Sequence, residues 1–94
     1  MTDAEPIEYI NDSRTRTTCW HFADGAQTGQ HVHAYDYVVI PVTGGTFHVV
    51  DASGSSHDMQ QAAGVPYQGV KGTAHNVINT SGSPASFVEV ELKE

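Results

Sequence analysis

The sequence is poor in cysteine, in positive charge and in long apolar runs. Cys19 is the single cysteine among 94 residues, which rules out an internal disulfide and a metal site built from cysteine alone. Four Lys and Arg stand against eleven Asp and Glu, a formal net charge of −7. A surface this acidic repels phosphate backbones, so nucleic acid is not an expected partner. No apolar stretch approaches the roughly 20 residues of a membrane-crossing helix. The opening Met1-Thr2-Asp3-Ala4-Glu5-Pro6 is acidic where a secretory leader would be basic and then apolar. The expectation is a cytoplasmic chain with no membrane partner. Its length suits a single domain, 1–94, around one modest core.

Helical periodicity is also lacking. What recurs is short stretches rich in Val, Ile, Thr, Tyr and Phe, cut by Gly, Ser, Asn and Asp. Strands are expected near 7–10, 14–22, 29–33, 37–42, 46–50, 57–60, 65–69, 75–79 and 87–92, with turns at 11–13, 23–25, 43–45, 51–54 and 81–84. So many short strands in so short a chain predict an all-β fold, a small antiparallel barrel or jelly roll.

Histidine is plentiful, with six. His31 and His33 are spaced i, i+2, which on a strand puts both rings on one face. Such a pair is often only a solvated face. If the face is a barrel interior, two neutral imidazoles can grip one metal ion, and His75 can join them only through the fold. His21, His48 and His57 alternate with apolar neighbours or lie in polar surroundings and are expected at the surface. Cys19, with no basic cluster beside it, is expected to be inert.

The glycines around these histidines carry a resemblance. The segment from Gly29 through His31, His33 and Val38 to Gly45 resembles the first cupin motif, a His-x-His followed by Glu after four residues and Gly after six more. The segment Gly64 … Gly72-Thr-Ala-His75-Asn-Val-Ile-Asn79 resembles the second. Trp20-His-Phe22-Ala-Asp-Gly25 and Asp36-Tyr-Val-Val-Ile-Pro41 are similar to stretches of small cupins encoded with β-alanine degradation genes. The resemblance implies a cupin barrel, a homodimer, and one divalent transition metal per chain on His31, His33 and His75. Fe(II) is favoured in the cell, with Ni, Zn or Mn as alternatives.

Two positions depart from the motifs. Val38 stands at the motif's Glu and Val70 at its Pro. The first departure leaves three neutral imidazoles, full +2 charge on the ion and open positions for a small-molecule ligand or substrate. Asp36, or a Glu of the last strand, is the candidate replacement carboxylate. Tyr35, Tyr37, Tyr67 and Gln68 are candidates to line the pocket. Some three-His cupins are iron dioxygenases, so the resemblance implies a metal-dependent oxygenase acting on a small organic acid or amine-derived metabolite. The alternative is a non-catalytic metal- or ligand-binding sensor module.

The expected barrel interior is Trp20, Phe22, Val38, Ile40, Val42, Phe47, Val49, Val77 and one of Phe87 and Val88. The last strand alternates, with Val88, Val90 and Leu92 on one face and Phe87, Glu89 and Glu91 on the other. An aromatic ring on a glutamate face needs cover, from a dimer partner or from the pocket itself.

Overall fold

The structure, a computed structural model, describes residues 2–93. Nine strands run in order: β1 (Glu5–Asn11), β2 (Thr15–Phe22), β3 (His31–Val32), β4 (Asp36–Pro41), β5 (Gly45–Asp51), β6 (Ser56–Gln61), β7 (Tyr67–Gly69), β8 (Ala74–Asn79) and β9 (Ala85–Leu92). They pair antiparallel in two facing sheets, β1-β2-β9-β4-β7 and β3-β8-β5-β6. No helix occurs among the described residues, and none is long and apolar enough to cross a membrane. The fold is an all-β jelly roll, as the strand pattern predicted.

Burial follows the two-residue period of the strands. On β5, Phe47 and Val49 point inward; on β9, Ala85, Phe87, Glu89 and Glu91 do. Phe22, Phe47 and Phe87 meet with ring centroids 5.3, 5.3 and 5.8 Å apart, two of the pairs edge-on. These offset geometries suit the ring quadrupoles. At that end of the molecule Asn79 is fully buried and satisfied. Its amide donates to Ala23 O and Ser83 O, and its Oδ1 accepts from Ser81 N and Oγ. The solid aromatic packing fills one end of the barrel and leaves the other end open between the sheets.

The interior expected of β4 is corrected. Tyr37 and Val39 are the buried residues, while Ile40 is 38% exposed and Val42 54%. The chain bends at residues 34–35, between His33 and β4. Tyr37 and Val39 keep the two-residue phase of His31 and His33 through that bend, so Val38, Ile40 and Val42 fall on the opposite face.

Candidate metal centre

The open end is built around β3 and β8. Their register sets His31 directly opposite His75, and His33, two residues on, returns to the same face. His33 lies just past the end of β3, yet its backbone is pinned. Its N–H donates to Thr73 O at 2.9 Å and its carbonyl accepts from Gly72 N at 2.8 Å. The approach to His31 is fixed by Asn76, whose Oδ1 accepts from Gly29 N at 2.9 Å.

The three rings converge on their Nε2 atoms. His31 Nε2 is 3.1 Å from His33 Nε2, which is 3.1 Å from His75 Nε2. His31 Nδ1 lies 2.9 Å from Gly29 O. A carbonyl only accepts, so Nδ1–H donates and the lone pair of His31 is on Nε2, aimed inward. Burial, then the neighbouring rings, pushes His33 and His75 down to about 4, so both are neutral donors at neutral pH. Two nitrogens bound to one ion at about 2.1 Å and at a right angle lie about 3.0 Å apart. Spacing and charge state fit one divalent transition metal, and His31, His33 and His75 are a possible metal-holding group among the described residues.

Tyr37 supplies the flat wall beside them. Its ring stacks on His33 with centroids 3.8 Å apart and planes 18° from parallel. Its other side is set by Gly69, its cross-strand partner on β7. A Cβ at residue 69 would overlap the phenol ring, so only glycine lets the tyrosine lie there.

A carboxyl enters from β9. Glu89 is 9% exposed and Glu91 5%. Glu91 Oε1 accepts from Arg16 Nε and Nη2 at 2.9 and 2.6 Å. Glu89 has no such cation facing it directly. Burial first, then Glu91 beside it, pushes Glu89 up to about 7. Glu89 therefore exchanges a proton in the neutral range.

Two cavities meet at this wall. The inner chamber, about 230 Å³, lies between the sheets under the histidines and includes Glu89, Tyr37 and Tyr67. The outer cavity, about 490 Å³, opens to solvent past Arg16, Glu91 and Val32. Trp20, Thr28, His31, His33 and Glu89 border both. Tyr67 accepts from Gln61 Nε2 at 2.8 Å, and burial pushes its hydroxyl up to about 12.

Of the pocket candidates read from the sequence, Tyr37 and Tyr67 line the inner chamber. Tyr35, Asp36, Gln68 and Val38 border neither cavity. Asp36 is exposed and accepts from Lys71 N at 2.8 Å. Gln68 pairs with Val38 across the outward face of β4 and β7. The position beside the histidines that the motif reading gave to Val38 belongs in space to Tyr37, which shares the two-residue phase of His31 and His33. The buried carboxyl comes instead from Glu89, signalled by the aromatic Phe87 on the same strand face. His57, expected on the surface, is exposed but borders the chamber beside His75, which its polar neighbours concealed.

No family model matches the chain. It is 41% identical over 90 residues to the β-alanine degradation protein BauB of Pseudomonas aeruginosa, spanning 96% of this chain and 94% of that protein. A cupin domain from Bordetella pertussis Tohama I superposes with a TM-score of 0.94 at 40% identity, over 99% of this chain and 96% of that one. A double-stranded β-helix protein from Klebsiella pneumoniae superposes with a TM-score of 0.79 at 18% identity, over 97% and 77% of the two chains, a likeness of fold.

Proposed function

The chain belongs to the cupin family, with BauB among its relatives, and from that premise we propose that it is a metal-dependent oxygenase or related enzyme acting on a small organic acid or amine-derived metabolite. The observation that carries this reading is the convergence of the three histidine Nε2 atoms, His33 Nε2 lying 3.1 Å from each of the other two, on a cavity that also holds a buried carboxyl. His31, His33 and His75 would hold one divalent ion, Fe(II) in the cell. A bound ion of that kind supplies a Lewis-acidic, redox-active centre with open positions for substrate and dioxygen.

The chain's own groups have separable tasks. The Tyr37 ring holds the His33 imidazole in orientation. Glu89 takes or returns a proton at its carboxyl, with a balance near neutrality suited to acid–base work. Arg16 pairs with Glu91 and partly offsets the upward push of that second carboxyl on Glu89. The outer cavity is the entry path, and the chamber walls keep water from the inner end of the substrate. The role in β-alanine degradation carried by the relative's name is consistent with a small amine-derived substrate.

The test is oxygen uptake and product analysis with Fe(II)-loaded protein over a panel of small carboxylates and diketones, wild type beside Glu89→Gln. Turnover of one class, reduced tenfold or more in the variant, is expected. Metal-loaded protein that binds panel members and consumes nothing would contradict the enzyme and favour a sensor module.

A further inference from the structure

The inner chamber differs from the histidine cluster in chemistry. Away from the rings its wall is mostly apolar, with Val39, Val49, Met59, Val77 and Phe87 beside the hydroxyls of Tyr67 and Thr73. No Lys or Arg borders it, and the aromatic cluster containing Phe87 closes its floor. A carboxylate at the deep end would lose its hydration and gain no opposite charge. A methylene chain there is removed from water at a gain. The carboxylate end of a ligand therefore belongs at the histidines, and the uncharged end belongs below.

Size sets a second limit. A water molecule's share of liquid volume is about 30 Å³. The chamber's roughly 230 Å³ thus holds about seven or eight non-hydrogen atoms.

We propose that the chamber selects one-headed ligands: a single carboxylate or equivalent oxygen head at the three histidines, with an uncharged aliphatic tail of about five carbons beneath them. This deepens the reading of the site as a metal centre and rests on it. Dicarboxylates are excluded by the apolar floor and by the Glu89 carboxyl on the same chamber. Val49 and Val77 are the specificity-determining residues for length, because their side chains face the chamber from β5 and β8.

The probe series is the straight-chain carboxylates from acetate to octanoate, titrated by calorimetry into Zn(II)-loaded wild-type protein whose metal content has first been measured. Affinity is expected to rise about fourfold with each methylene, to peak near hexanoate and to fall at heptanoate and octanoate. Glutarate is expected to bind at least tenfold more weakly than pentanoate. In Val49→Ile and Val77→Ile the peak is expected to move to a shorter acid, with metal content unchanged. Full metal occupancy with a flat series, or glutarate equal to pentanoate, would overturn the chamber assignment and leave the metal centre standing. A wild-type protein that holds no metal would overturn the metal-centre reading, and the chamber assignment with it.

Discussion

Glu89 shows how one residue's surroundings set its chemistry. On β9 it lies between Thr18 of β2 and Val39 of β4, while Glu91, two residues on, lies between Arg16 and Tyr37. The guanidinium therefore serves Glu91, and Glu89 is left with burial and a like-charged neighbour. Its carboxyl rises from 4.5 to about 7. A carboxyl raised on folding binds its proton more tightly in the native state. Its ionisation therefore costs stability progressively as pH rises from about 4.5 to about 7. The two low-lying histidines act oppositely: they are neutral when folded and protonate on unfolding, so they cost stability as pH falls from 6.5 towards 4. Glu89→Gln removes only the first of these slopes. In metal-free protein, the urea midpoint of the variant relative to wild type is expected to be higher at pH 8 than at pH 5. The difference is up to about 3 kcal/mol. An equal offset at both pH values would mean that Glu89 ionises as an ordinary surface carboxylate.

At the scale of elements, β4 and β7 hold the site's geometry through one contact. Tyr37 fits between His33 and Gly69 only because residue 69 has no side chain. Gly69→Ala is expected to push the ring off His33 and weaken metal binding about tenfold, the usual scale for losing a partner that orients a ligand. Tyr37→Phe keeps the ring and is expected to bind within about threefold of wild type. A competitive metal titration separates them, and equal affinity in all three proteins would remove Tyr37 from its positioning role. The elements themselves were largely legible in the sequence. Nine strands were expected, and nine occur among the described residues, because strand-forming stretches and turn residues alternate so regularly. The His-x-His spacing also read true, since β3 keeps it on one face. What misled was the motif register, which put the interior of β4 at Val38 and its even-numbered neighbours, whereas unbroken alternation from His31 and His33 leads to Tyr37 and Val39. β9 was readable because it runs straight for eight residues, so Phe87 carried Glu89 inward with it.

At the scale of the whole molecule, the phase of β4 creates an outer sheet face rich in apolar side chains. Ile7, Ile10, Val38, Ile40, Val88, Val90 and Leu92 share it with the thiol of Cys19. Ile7, Ile10, Ile40 and Leu92 are each at least 38% exposed. A chain with a net charge of −7 repels its copies in general, but the centre of this face bears no charge. We propose that a second copy covers it, related by a two-fold axis. Light scattering is expected to give twice the chain mass of 10.1 kDa, and Ile40→Glu to give the single mass; a monomeric wild type would contradict this pairing. The three histidines of the site come from one chain. The most direct test of the account is therefore elemental analysis of untagged wild type beside His75→Ala, each reloaded with Fe(II) and desalted. The account predicts about one transition-metal ion per wild-type chain and a loss of most of it in the variant. Metal absent from both proteins, or retained equally by both, would contradict it.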